Sequence, residues 1–209
     1  MRNYLLLLLP LAAGCAMGGA MKQASLVGQC AENDAACSRR RPLAPLAIGA
    51  SFHPDVSAEI SGSAVPNLLL SSADQSVLAV ENGALVAKAP GASAVLIATE
   101  DGTVVDFQHL WVAPVTAVTL ARRDGDRIGG AIGLAVGEDV TLVPALWNHA
   151  QRLAGDADAT WTTSADGVVS VLRDGSSDRR RLRARAPGSV KLTVALGGVS
   201  TSVDVEVVP

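Results

Sequence analysis

The chain has 209 residues, 49% of them hydrophobic but only 3% aromatic, with 20 glycines and a formal net charge of −3. So mild an acidic balance excludes the strongly basic face that nucleic-acid binding requires. Beyond the first residues, no segment reaches the about 20 apolar residues that a membrane-spanning helix needs.

The N-terminus sets the compartment. Arg2 gives a short positive region, residues 4–13 form an apolar run, and small residues Ala12, Ala13 and Gly14 lead directly into Cys15. That order is the layout of an export signal, and the run is too short for a permanent span. The stretch LAAGC resembles the lipobox of bacterial lipoproteins, although Ala12 stands where leucine is commonest. The resemblance implies removal of residues 1–14, acylation of Cys15 and anchoring by three acyl chains, enough for stable attachment to a membrane. Ala16, rather than aspartate, follows the cysteine. In a two-membrane cell the resemblance therefore implies the outer membrane, with the periplasmic and surface leaflets both open. The alternative to the lipoprotein reading is an ordinary secretory signal with a buried or incidental cysteine. Loss of Arg2 with the signal leaves 16 basic against 20 acidic residues, a charge near −4.

Residues 15–42 are small, polar and uneven, with Gly18-Gly19, Arg39-Arg40-Arg41 and Pro42. They show no helical or strand period and are expected to form a flexible tether, reaching up to roughly 80 Å. The arginine run reads as solvated charge, with contact to anionic headgroups as the other possibility. An exported compartment favours a disulfide between Cys30 and Cys37 around the loop CAENDAAC. A metal site there would need more ligands than the nearby Glu32 and Asp34.

From Pro42 onward the texture changes to short apolar runs punctuated by turns. Residues 68–70, 77–80, 85–87, 94–98 and 104–112 suit strands, separated by Asn82-Gly83, Pro90-Gly91 and Asp101-Gly102. The second half offers 115–120, 140–146, 159–162, 168–172, 181–186, 190–196 and 203–207. Its breaks are Asp166-Gly167, Asp174-Gly175, Pro187-Gly188 and Gly197-Gly198. No 3.6-residue period is sustained, so the expected class is all-β, of the sandwich type. The halves also match each other: Val77 and Val80 align with Val168 and Val171, and Ala89-Pro90-Gly91 with Ala186-Pro187-Gly188. A repeat of about 90 residues indicates tandem domains rather than a solenoid.

Trp161, Val168, Val171, then RARAPG and KLTV, resemble the bacterial immunoglobulin-like group 2 (BIG2) domain, and LAVGEDVTL (134–142) fits that family's entry into its second strand. The first copy is looser: Leu70 stands where Trp161 does, although VENGALVAKAPGASAVLIAT is a close match. The resemblance implies two tandem immunoglobulin-like β-sandwiches, at 43–113 and 114–209. Family members serve as repeats in surface adhesins of the invasin and intimin kind and in envelope proteins. A structural, adhesive or protein-interaction role at the cell surface follows as the expectation, with an envelope protein as partner.

Candidate chemistry is sparse, and the expectation is no enzyme, no cofactor and no metal. His53, His109 and His149 lack ligand spacing, and no G-x-S-x-G elbow occurs. Asp124-Gly125-Asp126 and the pair Asp156 and Asp158 lack the dense oxygen pattern of a calcium loop. Asp74, Asp101, Asp166 and Asp174 sit at turns, where local hydrogen bonding favours aspartate. Trp161 is expected to fill the core of the second sandwich. In the ladder Arg179, Arg180, Arg181, Arg183 and Arg185, strand alternation puts Arg181, Arg183 and Arg185 on one face and Leu182, Ala184 and Ala186 on the other. That arginine face is the candidate surface for an anionic glycan or headgroup, against a plain solvated face that discourages edge-to-edge pairing. Phe107 and Trp111 share one face of their strand and are expected to be core or domain-junction residues rather than a sugar platform.

Overall fold

A computed structural model describes residues 21–28, 37–38, 41–42, 44–60 and 67–209, and among these there are β-strands and no helix. In the first half the strands are β1 (Met21–Gly28), β2 (Cys37–Ser38), β3 (Arg41–Pro42), β4 (Leu46–Ala47), β5 (Ser51–Phe52), β6 (Pro54–Ile60), β7 (Leu68–Ser72), β8 (Leu78–Glu81), β9 (Ala84–Ala87), β10 (Gly91–Thr99) and β11 (Val104–Ala113). The second half holds β12 (Ala117–Arg122), β13 (Ile132–Ala135), β14 (Asp139–Asn148), β15 (Gln151–Arg152), β16 (Thr160–Thr163), β17 (Val169–Asp174), β18 (Ser176–Ala184), β19 (Gly188–Leu196) and β20 (Val199–Val208).

The two halves build the same sandwich. One layer has the order β4-β11-β10-β7 in the first and β13-β20-β19-β16 in the second. The other layer is β12-β14-β18-β17 in the second half, and the pair β1-β6 with the three-stranded β5-β9-β8 occupies the same place in the first. Register makes the match residue by residue. Gly91 faces Val112 as Gly188 faces Val207, and Phe52 faces Leu85 as Val140 faces Leu182. Leu70 faces Ile97 as Trp161 faces Val194, so the two residues are equivalent in space as well as in sequence.

Alternation along each strand supplies the core. Val95 and Ile97 of β10, and Val190, Leu192 and Val194 of β19, are buried, as are Leu85 and Leu182 at equivalent positions. The turn before each of these strands rests on a glycine for a steric reason. Gly91 and Gly188 have φ of 150° and 151°, and a Cβ there would lie 3.2 Å and 3.1 Å from the Cγ2 atoms of Val77 and Val168. The same valines accept hydrogen bonds through their carbonyls, from Lys88 and Ala89 in one copy and from Arg185 and Ala186 in the other. Alanine at either glycine is expected to cost about 1–2 kcal/mol, because strain at the backbone adds to the contact with valine. Thermal unfolding of the two variants checks this, and an unchanged melting temperature would contradict it.

Two aspartates cap turns as composition suggests. Ser76 donates through its hydroxyl and its amide to Asp74 Oδ1, and Thr99 and Thr103 do the same for Asp101. These bonds hold both carboxyls below the ordinary carboxylate value, led by the Ser76 hydroxyl in one and the Thr99 hydroxyl in the other.

The halves do not merely follow one another. Ala47 donates to the Ala154 carbonyl (2.9 Å) and Ala154 to that of Pro45 (2.8 Å), while Ser51 and Asp156 exchange two backbone bonds of 2.8 and 2.7 Å. These bonds form two isolated bridges, Leu46 with Ala154 and Ser51 with Asp156. Packing follows the same path: Ala47 and Ala50 belong to the core of the second sandwich, and Ala154 to the core of the first. Between them Gly155 has φ of 102°, and a Cβ there would meet the Ala50 Cβ at 2.8 Å and the Ser51 carbonyl oxygen at 3.3 Å. The 153–156 segment is thus a backbone clasp that closes only because position 155 has no side chain.

One expectation needs correction. Met21–Gly28, read as tether, is a strand, and it stands to β6 as β12 stands to β14: Leu26 faces Val56 where Leu120 faces Pro144. The pairing partner, absent from any local window of sequence, is what makes it a strand. Cys15 and Cys30 lie outside the described residues, and Cys37 lies in β2.

Candidate interaction surfaces

The arginine ladder splits by strand parity. Leu182 and Ala184 of β18 are buried, and Arg180 shares their side of the strand, with 7% of its surface exposed. Its guanidinium donates to Asp158 Oδ1 (3.3 Å) and to the Arg179 carbonyl (2.8 Å), and stacks 5.9 Å from the centre of the Trp161 ring. Trp161 itself is half-buried against the core rather than enclosed by it, and its buried Nε1 has no hydrogen-bond partner among the described residues. The cation over the ring and the apolar core beneath it give the tryptophan a wedge position at one end of the sandwich.

Arg181, Arg183 and Arg185 share the opposite side, as alternation requires. They are not equally available. Arg183 Nε lies 3.7 Å from Asp139 Oδ1, its cross-strand neighbour, and Arg185 Nε donates to Ser170 Oγ at 3.0 Å. Arg181 is exposed between Thr141 and Leu172 on the flanking strands. The face is therefore mixed in charge, as is usual for a solvated sheet.

The acidic pairs do not converge. Asp126 donates its amide to Asp124 Oδ1, Asp156 belongs to the clasp, and Asp158 pairs with Arg173 and Arg180. Among the described residues there is no group of three or more histidine, cysteine, aspartate or glutamate side chains placed to hold a metal ion.

Phe107 and Trp111 are where the expectation fails. They are 58% and 59% exposed, neither in the core nor sealed in the junction. The buried residues of β11 are Leu110 and Val112, and a strand turns Phe107, His109 and Trp111 the other way. His109 packs edge-on against Phe107, with ring centres 5.6 Å apart. A cleft of about 880 Å³ runs beside this strand, bounded by Pro45, Phe107, His109, Trp111 and, from the second sandwich, Gln151.

No family model matches the chain, and no curated protein matches it. Solved structures do. The chain is similar to domains 5-6 of the S-layer protein SbsC, at 17% identity over 91% of this chain and 98% of that one, with a TM-score of 0.34. It is similar to FdeC, an Escherichia coli adhesin, at 11% identity over 91% of this chain and 64% of that one, with a TM-score of 0.38. It is also similar to the Yersinia pseudotuberculosis adhesin InvE, at 12% identity over 90% and 60% of the two chains, with a TM-score of 0.35. Against the longer S-layer chain rSbsC(31-844), this chain spans 28% of the length.

Proposed function

We propose that this chain is a non-catalytic cell-envelope lipoprotein, anchored through Cys15, whose two BIG2-like sandwiches act as a rigid structural or adhesive module. The clasp carries the reading. Two small domains joined by a few residues would ordinarily move relative to one another, whereas four backbone hydrogen bonds and reciprocal alanine packing hold these at one angle. A fixed angle serves to space or present a surface, and does nothing for a reaction. The dispersed histidines and paired carboxylates support the same reading. The LAAGC stretch supports the anchor, and Ala16 supports the outer membrane as its address.

The test is made in cells. Cys15→Ser is expected to move the chain from the membrane pellet to the soluble fraction. Cross-linking of intact envelopes is expected to recover a stoichiometric envelope protein with the wild-type chain and to lose it with the variant. Unchanged membrane partition of the variant would contradict the anchor.

A second reading, binding of an anionic glycan, draws on the exposure of Arg181 beside Arg183 and Arg185. Binding on a glycan array that disappears when the three become alanine would favour it. The existing contacts of Arg183 and Arg185 weigh against it.

A further inference from the structure

The repeat provides its own control for the exposed aromatics. In register, Ala92, Ala94 and Leu96 of β10 face Trp111, His109 and Phe107 of β11. The equivalent residues of the second sandwich are Ser189, Lys191 and Thr193, facing Glu206, Asp204 and Ser202. There Lys191 forms an ion pair with Asp204 at 3.4 Å, and Thr193 and Ser202 share a hydrogen bond of 2.8 Å. The flanking strand follows suit, with Leu69 and Ser71 in the first sandwich against Thr160 and Thr162 in the second. The same fold thus tolerates a polar surface here, and the first sandwich carries an apolar one. Of the six large hydrophobic side chains exposed among the described residues, Leu69, Val104, Phe107 and Trp111 belong to this one sheet. An exposed apolar sheet face of this kind marks a contact surface.

We infer that this face of the first sandwich docks a second copy of the same chain, face to face. Two features select that occupant. Among the described residues, the outward positions of β7, β10 and β11 on this face hold no carboxylate, lysine or arginine, so like surfaces meet without repulsion, and an oppositely charged partner gains nothing from it. Its relief is also self-complementary. Phe107, His109 and Trp111 form a ridge along β11, and Ala92 and Ala94 form a trough beside it on β10. A twofold axis lying between the two sheets, parallel to the strands and midway between β10 and β11, sets the ridge of each copy over the trough of the other, an isologous contact between aligned sheets about 10 Å apart. A glycan would need more hydrogen-bonding groups around the rings than His109, Ser71 and the bordering Gln151 supply. The face is smaller than the roughly 20–30 residues a side of a standard interface, so association is weak in solution and takes effect where copies are crowded on one surface.

Sedimentation of the full chain carrying Cys15→Ser, over a concentration series from micromolar to millimolar, tests the inference. The chain is expected to show a reversible monomer–dimer equilibrium. Phe107→Ser with Trp111→Glu, the residues of the second sandwich at the same positions, is expected to weaken it about tenfold or more, the loss typical of hot-spot aromatics. Ala94→Lys, which sets like charges across the twofold, is expected to do the same, and both variants should melt at the wild-type temperature because the changed positions are at the surface. A chain that stays monomeric at millimolar concentration would overturn the inference. So would dimers that persist in both variants, or quenching of Trp111 fluorescence by neutral oligosaccharides without self-association.

Discussion

Valine at Gly155 is expected to cost about 2–4 kcal/mol and to lower the melting temperature by roughly 5–15 °C, although the residue lies in a loop. Its φ of 102° is a conformation that a β-branched residue tolerates badly. The new side chain would also press on Ala50 and the Ser51 carbonyl, both part of the opposing sandwich. Relief requires the clasp to open, with loss of the bonds that join Pro45, Ala47 and Ser51 to Ala154 and Asp156. Each such bond contributes about 0.5–1.5 kcal/mol net, so opening is the cheaper escape than rebuilding either core. Valine at Gly102, a glycine of similar φ with open space around it, separates backbone strain from the clash. An effect at Gly155 no larger than at Gly102 would mean that the junction gives way freely.

The second large effect concerns the core. Leu85 and Leu182 are 0% and 1% exposed and hold equivalent places in the two sandwiches. Truncation of either to alanine is expected to cost about 2–5 kcal/mol, the range for a buried leucine whose cavity cannot collapse. The informative readout is how many transitions move. Ala47 and Ala50, beside the strand that pairs with β9, pack into the second core, so damage at Leu85 is expected to weaken the second sandwich as well. One shifted calorimetric transition for either variant agrees with that coupling. Two transitions, of which each variant moves one, would show that the sandwiches are thermodynamically separate.

Periodicity makes most of the fold legible in the sequence. The strand at 190–196 alternates apolar with polar residues, the one at 94–98 is a short apolar run, and the Ala-Pro-Gly signals set the repeat, because all of these encode local facts about side-chain facing and turn geometry. Non-local facts were not legible. MKQASLVG is a strand because β6 offers it an edge, and no window of eight residues states that. Leu46, Ala47 and Ala154 fall outside every run that suits a strand, and their burial comes from a bridge between Leu46 and Ala154, 108 positions apart.

The exposure of Phe107 and Trp111 sits between these cases. Aromatics on a strand normally signal core, and that general rule misplaced them. The repeat held the correction: extending the match from Gly91 and Gly188 sets Leu96 on Thr193 and Ala94 on Lys191, so this side of the strand faces solvent. Trp161 shows the opposite limit, since its strand was readable and the stacking over it of Arg180, which parity sets on the core side of the ladder, was not.

Residual dipolar couplings from backbone amides of both sandwiches, measured on the Cys15→Ser chain in one weakly aligning medium, test the rigid-module account most directly. The account predicts that a single alignment tensor fits residues 67–113 and 117–208 together, and that Gly155→Val splits it into two. Two tensors of different magnitude in the unaltered chain would mean that the sandwiches tumble independently, and would contradict a fixed angle between them.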